Sequence, residues 1–374
     1  MPGPVHDDAH AAQAPPTPIP KLLPSRDIQY VITNRNGIVE DRHEIHVAIT
    51  DATGKLIRSI GDYDRLTLIR SAAKPMQALA IVESGAMDKY GLDEADLALS
   101  CASHNSEARH VDRARAILEK AGNQESDLAC GGHPSILPQI NKAWAQDGIT
   151  PTAVFSNCSG KHSGMLAATR AIGESTDQYH EFQHPIQKRI QEIMAYAAGL
   201  DEDQVKWGVD GCNMATPAMP LSCLAKSFAM FADAADIVDR NDAPFGQRTK
   251  DMARIFNAMT SYPELVAGEE RFCSIFMRAC KGQAIGKIGA AACYGIGMRG
   301  SEATKALGAT GAIGIAVKVE SGDLDALYCA LPEILQQLSL VSKEVLETLE
   351  PFHVKTISNT AGQKTGKYTP YITI

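Results

Sequence analysis

The chain has 374 residues, 44% of them hydrophobic, and a formal net charge of −8. That is enough to bury a large core, and the acidic balance argues against a nucleic-acid partner. No apolar run approaches the roughly 20 residues of a membrane span, and the nine cysteines include no C-x-x-C pair, which removes a zinc ribbon and a thioredoxin-type site.

Residues 1–25 are rich in proline and alanine and read as a disordered tail. They lack the basic region and apolar stretch of a signal peptide, so a cytoplasmic protein with reduced thiols is expected. Residues 26–374 are expected to form the folded, catalytic part. Three strand-like stretches come first, Ile28–Thr33, Glu44–Ile49 and Lys55–Ile60. Turns at Asn34-Arg35-Asn36-Gly37 and Asp51-Ala52-Thr53-Gly54 separate them, which predicts an antiparallel meander.

From about 75 to 260 the periodicity is mostly helical, for example over Glu107–Ala121, Pro185–Ala198, Ser222–Ala234 and Phe245–Thr260. Strand character returns at Ala284–Gly289, Ala290–Gly297 and Ala312–Glu320. Helices are expected over Asp323–Leu338 and near Ser342–Leu349. Strands at both ends of a helical middle predict an α+β fold whose antiparallel sheet is completed by the N- and C-terminal segments.

Ser71-Ala72-Ala73-Lys74 stands where the meander gives way to the first helix. On a helix, positions i and i+3 share a face, so Lys74 can reach back to the Ser71 hydroxyl. A desolvated lysine amine can take a serine proton and make the oxygen nucleophilic. Alone, the four residues read better as a polar helix start with Ser71 as a cap. An acyl-transfer site of this type commonly adds an S-x-N and a K-[TS]-G. Ser103-His104-Asn105 supplies the first. Lys364-Thr365-Gly366 is the literal match to the second, but it reads as a solvated hairpin turn. Lys287-Ile288-Gly289 lies in a strand that can sit mid-sheet facing the helices, so Lys287 is preferred.

Gly295-Ile296-Gly297-Met298-Arg299-Gly300 is a formal dinucleotide-binding pattern, but too little chain follows it for a doubly wound domain. It is read as a glycine-rich strand edge. Asn157-Cys158-Ser159-Gly160-Lys161-His162 reads as a loop entering a helix at Met165, and Val209-Asp210-Gly211-Cys212 as a strand end entering a turn. Cys158 and Cys212 are either small buried hydrophobes or, if their loops converge beside a nitrogen, soft ligands for zinc.

Together these segments resemble the bacterial asparaginase II family, also called class 3 or rhizobial-type L-asparaginases. The resemblance rests on Arg70-Ser71-Ala72-Ala73-Lys74-Pro75, Ser100-Cys101-Ala102-Ser103-His104, Asn157-Cys158-Ser159-Gly160-Lys161-His162 and Val209-Asp210-Gly211-Cys212. His184-Pro185-Ile186-Gln187, Pro263-Glu264-Leu265-Val266-Ala267-Gly268, Lys287-Ile288-Gly289-Ala290 and Gly314-Ile315-Ala316-Val317-Lys318 extend it.

It implies a fold similar to serine β-lactamases and glutaminases, a homodimer, and hydrolysis of L-asparagine to L-aspartate and ammonia. Ser71 with Lys74 and Ser103 with Lys287 would be two Ser-Lys pairs, Ser71 being the expected nucleophile. Cys158, Lys161 and Cys212 would ligate one zinc ion per chain, with Asp210 holding a metal-bound water. Arg70, His162 and Asp210 would line the substrate pocket. The chain departs from the family pattern at Ala291-Ala292-Cys293, where a glutamate is usual, and in its longer N-terminal tail. A glutaminase or another serine amidohydrolase on the same scaffold, or an inactive zinc- or amino-acid-binding protein, are the alternative readings.

Overall fold

In the computed structural model, residues 29–241 and 244–374 are described, and the tail expected over 1–25 lies outside them. β1 (Gln29–Arg35), β2 (Ile38–Asp51) and β3 (Leu56–Ile60) follow one another antiparallel, as the alternation and the turns predict. β2 is long enough to carry both neighbours on one edge, β1 along its first half and β3 along its second.

β4 (Leu66–Leu68), β5 (Lys206–Val209) and β6 (Ala215–Pro220) make a separate sheet in the order β4-β6-β5. Two of these strands interrupt the stretch expected to be helical. They are four and six residues long, and β6 contains prolines, so neither shows a readable alternation.

β7 (Ala284–Gly289), β8 (Cys293–Met298) and β9 (Ile313–Val319) are buried at every residue. That pattern requires cover on both faces. The helix Leu221–Arg240 lies on one side, and Phe272–Ala279 and Leu324–Gln337 pack on the other, with Lys343–His353 against those two helices. The first contact explains the glycine pattern of β8. A Cβ on Gly295 would stand 2.2 Å from the Phe228 ring, so the strand can pass under that helix only without one. The short helix Glu302–Ala306 follows, and the pattern serves packing rather than a dinucleotide.

β10 (Thr356–Ser358) and β11 (Lys364–Tyr371) close the fold. β11 pairs with β1, Tyr371 opposite Tyr30, and the large sheet runs β10-β11-β1-β2-β9-β8-β7 with every pairing antiparallel. The two ends of the described chain therefore complete one sheet, as expected. Lys364 is the exposed first residue of β11 and not a turn residue. Among the described residues, no helix is long and apolar enough to cross a membrane.

Candidate active site

The site is assembled where the small sheet, the edge of the large sheet and the starts of two buried helices meet. The Ile69 N–H donates to the Pro217 carbonyl at 3.1 Å, which fixes the chain as it leaves β4. A 3-10 turn, Arg70–Ala73, then leads into the helix Lys74–Glu83. Pro75 occupies its first turn, where the missing N–H is not needed. Gly289 at the end of β7 packs against this turn so closely that a Cβ would stand 2.3 Å from the Ile69 carbonyl oxygen.

β7 is the edge strand of the large sheet rather than a central one. Lys287 is nevertheless fully buried, with the Ser71 turn packed against β7. Lys287 is paired with Gly295 and so shares its face, turned toward the helix Leu221–Arg240.

Ser103 lies in the loop after the helix Glu94–Ser100, its N–H donating to the Val266 carbonyl at 2.9 Å. Both lysines converge on its Oγ, Lys74 Nζ at 3.0 Å and Lys287 Nζ at 2.8 Å. Lys74 also donates to the Ala102 carbonyl and, at 3.1 Å, to Cys158 Sγ. Lys287 has one further acceptor, the Ile288 carbonyl at 3.0 Å. The two side chains are 1% and 0% exposed. Burial, followed by the charge of Lys74, lowers Lys287 to about 7.

The arrangement differs from the expected one at one point. Among the described residues, no side-chain hydrogen bond joins Lys74 to Ser71. The four-carbon stem runs past the serine to three acceptors deeper in the protein, which match the three donors of an ammonium group. Ser71 is half-buried while Ser103 is 4% exposed, so Ser71 is the more accessible hydroxyl.

A second centre adjoins the first. The helix expected from Met165 already begins at Ser159, with Cys158 just before it, because tertiary burial overrides the weak helix propensity of Ser159 and Gly160. Cys212 comes from the turn after β5. Lys161 Nζ donates to Cys212 Sγ at 3.1 Å. The neighbouring Cys158 thiol holds Cys212 far below the usual thiol value, while Cys212, together with burial, lifts Cys158 well above it. Burial alone would pull Lys161 down, but the Cys212 and Cys158 sulfurs outweigh it and raise the amine above the ordinary lysine value.

Arg70 adopts a left-handed backbone, φ +50°, and sends Nε and Nη2 to Asp210 Oδ1 at 2.9 and 2.6 Å. Backbone of this kind on a non-glycine residue is strained and concentrates at functional sites. His162 has no exposed surface, and its Nδ1 stands 2.6 Å from the hydroxyl of Tyr179. Tyr179 carries no sequence signal of its own. It sits in a turn and becomes part of this centre only through the tertiary fold.

Cys158, Lys161 and Cys212 thus stand together, a donor set whose two sulfurs suit a soft cation such as zinc. Among the described residues, no group of three His, Cys, Asp or Glu side chains is arranged to hold a metal, so a third protein ligand would have to be the Lys161 amine. Ala291 and Ala292, where the usual glutamate is missing, both take left-handed backbone (φ +56° and +54°) in the turn between β7 and β8.

Residues 31–370 match the L-asparaginase II family, and the chain belongs to that family. The membership makes the protein an amidohydrolase by class. No curated protein matches the chain. Among solved structures, the Bacillus subtilis glutaminase YbgJ in covalent complex with 5-oxo-L-norleucine overlaps 74% of this chain and 80% of its own. It does so at 10% identity and a TM-score of 0.32.

Proposed function

We propose that the protein hydrolyses the side-chain amide of L-asparagine, giving L-aspartate and ammonia, by a serine nucleophile that a two-lysine relay activates. The observation that carries this is the convergence of Lys74, three residues from the more accessible Ser71, and Lys287 on Ser103 Oγ.

The lowered value of Lys287 gives it a free lone pair near neutral pH, so it can serve as the base. Lys74 passes a proton to Ser103 Oγ as that hydroxyl gives its own to Lys287. The vacated Lys74 amine then takes the Ser71 proton while Ser71 Oγ bonds to the amide carbon. Backbone N–H groups at the start of the Ser71 helix favour the developing oxyanion. The relay run in reverse protonates the leaving ammonia. An acyl-enzyme on Ser71 remains, and water hydrolyses it with the same groups as base. Arg70, held by Asp210, offers a cation to the substrate carboxylate.

Cys158, Lys161 and Cys212 would hold one zinc ion per chain, provided the Lys161 amine gives up its proton on binding. When bound, that ion supplies positive charge that orients the substrate and ties the Cys158 and Cys212 segments together. Nine free thiols suit a reducing cytoplasm. The homodimer rests on the family resemblance and is checked by sedimentation.

Ammonia release from L-asparagine, run beside L-glutamine and a chromogenic β-lactam, tests the reading. Turnover of L-asparagine well above the other two supports it. Faster turnover of glutamine would make the protein a glutaminase, and no turnover of any of the three would leave a binding protein.

A further inference from the structure

Asn105 ends the Ser103-His104-Asn105 loop and has no exposed surface, yet it takes no part in the chemistry above. Its side-chain amide is engaged at both ends. Arg271 Nη1 donates to Oδ1 at 3.0 Å, and Nδ2 donates to Glu107 Oε1 at 3.4 Å. We propose that Arg271 is a positioning residue for the proton transfer between Ser103 and Lys287, acting through Asn105, which clamps the serine loop and does not touch the substrate. The inference rests on the relay proposed above.

The serine loop follows the helix Glu94–Ser100 and has no helix or strand of its own before the next helix starts at Ala108. Its shape is therefore set by hydrogen bonds to other segments. The Ser103 N–H donates to the Val266 carbonyl at 2.9 Å and the His104 N–H to the Asn157 carbonyl at 3.2 Å, while the Ser135 hydroxyl donates to the Asn105 carbonyl. The Arg271 bond adds a link in a particular direction. Arg271 immediately precedes the helix Phe272–Ala279, which packs on β7, the strand that carries Lys287. Its own N–H donates to the Gly268 carbonyl at 3.2 Å, which fixes the turn between Val266 and that helix.

One side chain thus ties the loop of Ser103 to the helix lying against the strand of Lys287. What this link holds is the 2.8 Å contact between Ser103 Oγ and Lys287 Nζ. A base must stand within hydrogen-bond reach of the proton it takes. Displacement of a catalytic group by about 1 Å can cost about 100-fold in rate. Asn105 has no room to serve the substrate instead. Gly268 has a φ of +125°, and a Cβ on it would collide with Asn105 Nδ2, so the backbone closes directly over the amide. Turning the amide away would leave the Arg271 donor without this acceptor and a buried polar group unpaired.

The test uses the full chain and the variants Arg271→Ala, Arg271→Lys, Asn105→Ala and the double variant Arg271→Ala/Asn105→Ala. Ammonia release is measured from L-asparagine, or from L-glutamine if that amide is turned over faster. Arg271→Ala is expected to lower kcat by about 10- to 100-fold with KM within about threefold of native. Arg271→Lys should recover most of that loss, because a single N–H of Arg271 reaches Asn105 and an ammonium group can supply one. The double variant should be no slower than the slower single variant, as expected of two residues acting through one bond.

A native kcat in Arg271→Ala would overturn the proposal. So would a raised KM at native kcat, because Arg271 would then bind substrate, and so would losses that multiply in the double variant. An Arg271→Lys protein as slow as Arg271→Ala would overturn the single-bond account as well. A native protein that releases ammonia from neither amide would overturn the relay itself, and that result needs no variant. If Arg271→Ala does not fold by circular dichroism, Asn105→Ala decides: a lowered kcat at native KM supports the clamp, and a raised KM at native kcat makes Asn105 a substrate contact and overturns it.

Discussion

Lys287 and Lys161 are buried almost equally, at 0% and 2% exposed, and both reach a single hydroxyl or sulfur at hydrogen-bond distance. Their amines nevertheless move in opposite directions. Around Lys287 the nearest charge is another lysine, so burial and repulsion act together and lower it to about 7. Around Lys161 the nearest charges are sulfurs, and their attraction exceeds the penalty of burial. Enclosure alone therefore does not make a lysine a base; the sign of its neighbours does. The proposed relay thus uses the Ser103 centre to move protons, and the proposed zinc site uses the Cys212 centre.

The strongest way to break this division is to remove the proposed nucleophile. Ser71→Ala should lower kcat for L-asparagine by about 10⁴-fold or more. Near-normal turnover in Ser71→Ala with complete loss in Ser103→Ala would exchange the two serines' roles.

Lys287→Met comes next, with an expected loss of about 10²- to 10⁴-fold and with it a change in pH dependence. The working form of Lys287 is the neutral amine, whose fraction falls as pH drops below about 7. Native kcat/KM should therefore rise with pH through about 7, and this limb should be absent in Lys287→Met. An identical profile in the variant would remove Lys287 as base.

Chelation of zinc addresses the other centre. If the proposed site holds zinc, free metal about 100-fold above its dissociation constant should add about 2.7 kcal/mol to the stability of the folded state. The melting temperature should fall on chelation and return with added zinc in the native protein, and not respond in Cys212→Ser.

Gly289→Ala should cost about 1–3 kcal/mol in a denaturant titration, because its Cβ collides with the Ile69 carbonyl next to the Ser71 turn. The smallest effect belongs to Lys364→Ala, which should change stability by no more than about 0.5 kcal/mol and leave kcat unchanged, since Lys364 is exposed on β11. A large loss there would restore the literal K-T-G to the site.

The sequence by itself determined the terminal meander, the later strands β7 to β9 and several helices, because these have long, regular apolar periods. Pro185–Ala198 and Ala284–Gly289 match residue for residue. It also singled out Ser71, Lys74, Ser103, Lys287, Cys158, Lys161 and Cys212, reactive types in short local patterns. The tertiary structure alone decided which of them meet. Lys74 turns from its neighbour three residues away to Ser103, and Tyr179 enters beside His162 with no local pattern to announce it. The physical reason is that a long buried side chain goes where its polar atoms find acceptors. Those acceptors are supplied by segments distant in the chain, which sequence spacing does not encode.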